Sequence, residues 1–385
     1  MADRMALRLS FFYGAYFLYG GLSLPFLPAW LGVKGLDARE IGIVLAAPMV
    51  VRVLAVPLWS RLADRLGMLP RALVAAAAAS VAAFALVGVL SGFAAILIGF
   101  AVAATVSAPV LPFGDALALR ALRGRMPRYG GVRLWGSVTF IAANLGGGLL
   151  LARLGAADVI WAVVASLGLT AAAAFGLAQR EPPAPERIEA ASTQDALWRS
   201  RAFVAVVLGA SLIQASHAVY YGFSTLQWSA RGISGPAIGA LWALGVVAEV
   251  LLFALSGRVV GAVGATRMIM LGGIGGIIRW GAMALDPPTA ALPVLQCLHA
   301  ATFAATHLGA MHFMAQAVPA GRGATAQGDF TAVQGIVSAG AMSLSGVLVA
   351  HVGSLAYGAM AMAAGLGTLL AAAAFAWRRG ADGNG

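Results

Sequence analysis

Apolar residues in this chain come in long runs separated by short polar or turn-forming stretches, and within the runs they do not alternate with polar ones. LVAAAAASVAAFALVGVL, from Leu73 to Leu90, sets the pattern. Each run is long enough for the roughly 20 helical residues that cross a bilayer. Twelve helices are predicted, near 9–31, 41–60, 70–90, 93–121, 131–152, 157–178, 202–228, 236–256, 267–285, 290–317, 324–350 and 354–377. In lipid only helices and closed barrels satisfy their own backbone, and barrel strands would alternate in polarity over about ten residues. The expected fold class is an all-α membrane protein.

One stretch departs from the pattern. QREPPAPERIEAASTQDALWRSR, from Gln179 to Arg201, has the proline and charge content of a cytoplasmic linker. It leaves one six-helix bundle over 1–178 and another over 202–385, with 179–201 between them. Two related halves of this kind are a recurring layout among membrane carriers. A weak repeat agrees with it. RLADRLG from Arg61 and RVVGAVG from Arg258 share Arg-x5-Gly, and Arg52 and Glu249 stand at the same distance upstream of those arginines.

Composition sharpens the class. The chain is 61% hydrophobic and 10% charged, with a mean hydropathy of +0.89, whereas soluble domains carry about 25% charged residues. The net charge of +11 would fit nucleic acid, but its distribution does not. Arg4, Arg8, Arg61, Arg71, Arg120, Arg128, Arg201, Arg258, Arg267 and Arg322 fall at one end of the spans, and the opposite loops hold only Lys34, Arg39, Arg153 and Arg231. This is the positive-inside pattern, so both termini are expected in the cytoplasm and no nucleic-acid partner is expected. The first span is too long for a signal h-region and is read as retained. Cys297 is the only cysteine, which excludes an intrachain disulfide; its place within a span is read as packing.

Ionisable residues inside spans cost about 2.5–3.5 kcal/mol or more and usually face water and a partner. Asp115 and Arg133 each lie nine residues from Gly124, in the turn between spans four and five. In an antiparallel hairpin that symmetry puts them at one depth, facing each other. The pair either staples the hairpin or yields to an incoming anion or proton. Arg52, Arg279, Glu249 and His299 are further buried candidates, with Asp329 a possible third acid. His307 follows His299 by eight residues, about 80° further round an α-helix. In span seven, SLIQASHAVYYGFSTLQW places Gln214, His217 and Tyr221 on one face. Amide, imidazole and phenol there could hold a carboxylate and cover an aromatic ring, or form a polar helix seam. In span one Tyr16 and Tyr19 are available to a cavity, and Pro25 and Pro28 are expected to break the helix near its outer end.

The loop WSRLADRLGMLPR, between spans two and three, resembles the cytoplasmic signature of the major facilitator superfamily, Gly-x3-Asp-Arg-x-Gly-Arg-Arg. Asp64, Arg65, Gly67 and Arg71 match, and Ser60 stands at the first glycine. RYGGVRLWGSVTF, LGGIGGIIRW and LQCLHAATFAATHLGAMHF resemble spans five, nine and ten of the lactose permease and 3-phenylpropionate permease branch. The resemblance implies two pseudo-symmetric six-helix bundles and secondary transport by alternating access. It also implies a conformational switch in the Asp64–Arg71 loop, and substrate contact by Arg133, Asp115 and Arg279. Thr302 stands where lactose permease has a glutamate, so any proton carrier must lie elsewhere: Glu249 first, then His299, His307 or Asp115.

The expected function is proton-coupled uptake of a small organic carboxylate, aromatic on the phenylpropionate permease resemblance, by a monomer in a bacterial inner membrane. Its partners would be the substrate, protons and the lipid bilayer, with no cofactor and no metal. An exporter of drugs or metabolites, or a sugar or nucleoside symporter, are the alternatives within the fold. A membrane enzyme is disfavoured, because no HExxH, CxxC or P-loop occurs.

Overall fold

In the computed structural model the described residues are 2–66, 68–122, 126–178, 198–318 and 323–382. Their side chains are described except at 2–3, 64–66, 126–128, 323–325 and 378–382. No strand occurs among them. The helices are α1 (Ala2–Val33), α2 (Ala38–Leu66), α3 (Leu69–Val89), α4 (Phe93–Ser107), α5 (Val110–Ala121), α6 (Met126–Arg153) and α7 (Val159–Ala178). Beyond residue 198 they are α8 (Arg201–Ala215), α9 (Ala218–Ala230), α10 (Gly235–Ala254), α11 (Ser256–Val263), α12 (Ala265–Ala284), α13 (Leu292–Cys297), α14 (Thr306–Ala317), α15 (Gly323–Val352) and α16 (Ala356–Asp382).

Among the described residues nine helical stretches are long and apolar enough to cross a membrane. The pair α11 and α12, bent by 101°, makes a tenth. The longest stretch, Ala326–Trp377, holds two helices joined by the turn Gly353–Leu355. Leu292 to Ala317 is helical but interrupted by a π-turn, Ala300–Ala305. Counting that run and dividing Ala326–Trp377 gives twelve passes.

The breaks have local causes. α4 stops at Ser107, just before Pro109, which has no N–H to continue the ladder. Pro25 and Pro28 do not break α1, which runs on to Val33; in membrane helices neighbouring groups often take up the carbonyls a proline frees. α8 ends at Ala215, and the carbonyl of Gln214 accepts from both the backbone N–H and the ring Nδ1 of His217. Gly264, at φ +86°, supplies the left-handed turn between α11 and α12.

The chain divides into two compact units: Met1–Arg187 with Ser224–Ala243, and Ile188–Phe223 with Leu244–Gly385. The division falls inside α9 and α10. In unit 1, α1 packs on α6 and α7 around Leu9, Phe12, Tyr13, Leu73, Phe113 and Leu117. Both ends of α1 are tied to carbonyls at the ends of other helices. Arg8 Nη1 donates to the carbonyl of Gly176 at 2.8 Å, and Lys34 Nζ donates to those of Gly88 and Leu90 at 3.0 and 2.9 Å. Cations at helix C-termini also complement the helix dipole.

Also in unit 1, α6 and α10 approach until backbone meets backbone. A Cβ on Gly239 would overlap the carbonyl of Asn144, and Gly148 and Gly235 face each other in the same way. Small residues of this kind set the distance between membrane helices. Gly239→Leu is expected to destabilise the protein by about 3 kcal/mol through overpacking, read as a lower thermal midpoint in detergent. Gly146→Leu on the facing helix α6, where nothing lies within 4 Å of the added Cβ, is the matched control.

In unit 2, α8, α12 and α16 meet through Gly209, Gly273 and Gly367, each of which faces backbone or a side chain that leaves no room for a Cβ. Cys297 is exposed at the end of α13 rather than packed.

Candidate functional site

The glycines of LGGIGGIIRW decide where Arg279 goes. A Cβ on Gly275 would stand 3.0 Å from Ala301 and one on Gly276 would stand 2.8 Å from Ala364, so α12 nestles between the π-turn and α16. Arg279 follows on that helix and is fully buried in unit 2, at 0% exposure.

Its contacts are all to neutral groups. Nη1 donates to His299 Nδ1 at 3.1 Å and to Thr302 Oγ1 at 3.2 Å, and Nη2 donates to Gln296 Oε1 at 2.9 Å. The guanidinium carbon lies 4.7 Å from the Tyr220 ring centre and 4.5 Å from that of Trp280, which is cation–π distance. Among the described residues no carboxylate comes within ion-pair reach of it.

The hydrogen bonds fix proton positions. An arginine stays charged and can only donate, so His299 Nδ1 is the acceptor and its proton sits on Nε2. That Nε2–H faces Glu249 Oε2 at 3.4 Å. His217 Nδ1 donates to the Gln214 carbonyl at 3.0 Å, which leaves Nε2 to accept from the Thr302 hydroxyl, also at 3.0 Å. The chain of bonds thus runs one way: Arg279 to Thr302 to His217 to a backbone carbonyl.

Three buried polar atoms in this region have no partner: Arg279 Nε, Gln296 Nε2 and Tyr357 Oη. All three can donate a hydrogen bond. Aromatic rings surround them. His217 stacks on Tyr221 at 5.4 Å and meets Trp280 edge-on at 5.1 Å, and Trp280 stacks on Tyr357 at 5.9 Å. Buried donors without acceptors beside an uncompensated cation are costly, and the complement they lack is an anion.

Glu249 reaches this cluster from α10, which lies against His299: a Cβ on Gly245, one turn earlier, would stand in ordinary contact with it at 3.5 Å. Gln214 is committed elsewhere, its Nε2 donating to the carbonyl of Phe303 inside the π-turn at 3.2 Å.

Unit 1 holds a second charged cluster. Asp115 Oδ1 accepts from Tyr13 Oη at 2.6 Å and from Tyr129 Oη at 3.3 Å, and it lies 3.5 Å from Arg133 Nη1. The Arg133 guanidinium lies 5.0 Å from the Tyr13 ring and 4.8 Å from that of Phe17. Unlike Arg279, this cation has its counter-ion. The two side chains are 35% and 32% exposed, so the pair is wetter than the site in unit 2. Tyr16 packs among Phe17 and Tyr19, in an aromatic series that continues through Phe84 to Phe100.

Arg52 is exposed rather than buried, though its charge reaches the Tyr16 and Tyr19 hydroxyls of unit 1. Other expected residues fall outside these clusters. Asp329 is no third acid of the site: it accepts from Trp198 Nε1 at 3.2 Å, at the start of α15. In the loop signature, Arg71 is exposed with Nη1 3.9 Å from Met68 Sδ. The side chains of Asp64 and Arg65, and all of Gly67, lie outside the described residues. Among the described residues no three His, Cys, Asp or Glu side chains are grouped to hold a metal.

Sequence reasoning missed Gln296, Tyr220, Trp280 and Tyr357. Gln296 could have been found, since it precedes His299 by three residues and so shares its face. Tyr357 belongs to another span and left no signal.

Comparison with known proteins agrees with this architecture. Residues 6–361 match the model of the MFS_1 like family. The chain is 34% identical over 313 residues to a probable 3-phenylpropionic acid transporter of Escherichia coli (strain K12), covering 79% of this chain and 80% of that one. It is 31% identical over 290 residues to a maltose permease of Geobacillus stearothermophilus, covering 72% and 70%. Among solved structures, the nucleoside transporter NupG matches with a TM-score of 0.81 at 17% identity, covering 97% of this chain and 98% of that one. A bacterial homologue of the human lysosomal transporter Spinster, inward-facing and unoccupied, matches at 0.76 and 15%, covering 98% and 97%. At those identities the structural matches speak for the fold alone. The sequence relatives are transporters and permeases, not enzymes, and the chain belongs to the MFS_1 like family of multi-pass membrane transporters.

Proposed function

We propose that this transporter takes up a small organic carboxylate with an aromatic body, in symport with a proton, across a bacterial inner membrane. It would act as a monomer with both termini in the cytoplasm, by alternating access of two six-helix halves. The observation that carries the reading is Arg279: a fully buried cation whose partners are all neutral, beside three unpartnered donors and a wall of aromatic rings. A carboxylate supplies the missing charge and acceptors together. The printed name of the Escherichia coli relative, a probable 3-phenylpropionic acid transporter, supports the aromatic body. The Asp115–Arg133 pair is already neutralised and attracts an anion less strongly.

Coupling follows from the same hydrogen bonds. While Arg279 donates to His299 Nδ1, that nitrogen cannot take a proton. A carboxylate on the guanidinium draws it away and frees Nδ1, so His299 can become imidazolium beside Glu249. Anion and proton then enter as a neutral pair. His217 and Tyr221 would cover the substrate ring, and Gln214 would hold the π-turn in place.

A thermal-shift screen of the purified protein tests substrate class. Near 100 times Kd, 3-phenylpropionate should stabilise the protein by about 2.7 kcal/mol, while maltose and nucleosides should not. A shift with sugars or nucleosides and none with carboxylates would refute the anion reading. Uptake into proteoliposomes, after subtracting flux into protein-free vesicles, should be faster with the interior alkaline. A rate indifferent to the gradient removes the coupling, and net export under the same gradient reverses the direction.

A further inference from the structure

His299, Phe303 and His307 form a file of rings. His299 and Phe303 are stacked at 5.2 Å and 17°, and Phe303 and His307 at 6.3 Å and 8°. An α-helix already sets residues four apart side by side, but over eight residues it drifts about 80° past two full turns and would carry His307 away from the face of His299. The π-turn Ala300–Ala305 lies between the two histidines. Its wider i→i+5 turns use fewer degrees per residue and cancel the drift. Such turns disrupt an α-helix and recur at functional sites.

α10 faces that file. Glu249 lies 3.4 Å from His299. One turn on, Phe253 meets His307 edge-on at 6.3 Å and 87°. Glu249 and His307 also lie near enough for each to feel the other's charge, though not as a direct ion pair. The acid therefore sits across from two imidazoles that the π-turn has brought into line. The groups facing each member are few. His299 has Arg279 from α12, His217 from the α8–α9 break, and Tyr220 and Tyr221 from α9. Glu249 has the two histidines and Tyr221.

We propose that Glu249 passes protons between His299 and His307, and that His307, aligned by the π-turn, is the proton's exit from the site. The proposal rests on the coupled-uptake reading. The path has a direction, because His307 lies between His299 and the end of α14 that leads to Arg322, on the side assigned to the cytoplasm by its arginines. Each transfer is balanced. Imidazolium His299 gives its Nε2 proton to the Glu249 carboxylate, returning to neutral. Glu249, now a neutral acid, swings from His299 towards His307, gives that proton to one of its ring nitrogens and becomes carboxylate again. Imidazolium His307 releases it to water. Phe303 fills the space between the imidazoles, so the proton crosses through the acid rather than directly.

Two measurements on proteoliposomes carrying His307→Gln separate this path from a structural role, with 3-phenylpropionate as the probe and protein-free vesicles subtracted. Exchange of labelled for unlabelled substrate, which moves no net proton, should stay within about twofold of wild type. Net uptake driven by an alkaline interior should fall by about 100-fold, the lower range for loss of a positioned acid–base group. Gradient-driven uptake equal to wild type would overturn the proposal. Loss of exchange together with uptake would also overturn it, placing His307 in substrate binding or the fold. Wild-type uptake that ignores the gradient is a different failure, of the coupling reading itself.

Discussion

Arg279→Gln should weaken binding of an aromatic carboxylate by about 3 kcal/mol, roughly 150-fold, while leaving the unliganded protein no less stable. The first half follows from losing the only cation in the unit 2 cluster. The second is the less obvious half. A buried charge without a counter-ion costs stability, and replacing it with a neutral amide of similar reach relieves that cost. Glutamine can still donate to Thr302 or accept from Gln296, so the neighbours keep part of their hydrogen bonding. Titration calorimetry with 3-phenylpropionate and its uncharged amide separates charge from shape. Wild type should prefer the acid and the variant should not. If the variant keeps the preference, or unfolds at a much lower temperature, Arg279 is a structural residue and the anion site lies elsewhere.

Thr302→Glu should have a comparable effect by the opposite route. Thr302 Oγ1 lies 3.2 Å from Arg279 Nη1, so a carboxylate grown from that position meets the guanidinium. The protein would then carry its own anion, and an incoming one would face a neutralised site. Affinity for carboxylates should fall by about 100-fold, the cost of a competing buried charge pair. His217 Nε2 would also lose its hydroxyl donor. Thermal unfolding should rise rather than fall, because the buried cation gains a partner. Thr302→Ser, which keeps the hydroxyl, should bind as wild type does. Unchanged carboxylate affinity in Thr302→Glu would mean the substrate does not use Arg279.

The membrane architecture was legible because hydrocarbon imposes one rule on the whole chain: runs of about 20 apolar residues must be helices. The meeting of Asp115 and Arg133 was legible too, since hairpin symmetry alone puts equidistant residues at one depth, and they lie 3.5 Å apart. The charges judged by position within a span were less secure. Arg52 lies at the middle of α2 and Asp329 in the second turn of α15, and for each the rotation of its helix decides between the site and the surface. The π-turn was invisible because no residue type demands it. AATFAA reads as ordinary helix, and the Phe303 carbonyl inside the turn takes its hydrogen bond from Gln214 of another helix. The alignment of His307 with His299 is therefore out of reach of the sequence, although both histidines stand out in it. The unpartnered donors were equally hidden, because Gln296 and Tyr357 acquire meaning only from the buried guanidinium beside them.

The claim on which the rest depends is that Arg279 receives the substrate carboxylate. A structure of the protein with a bound aromatic carboxylate tests it directly. The account predicts carboxylate oxygens about 2.7–2.9 Å from Arg279 Nε and Gln296 Nε2, with the guanidinium withdrawn from His299 Nδ1. A carboxylate seated on Arg133 instead, with the Arg279–His299 hydrogen bond intact, would contradict it.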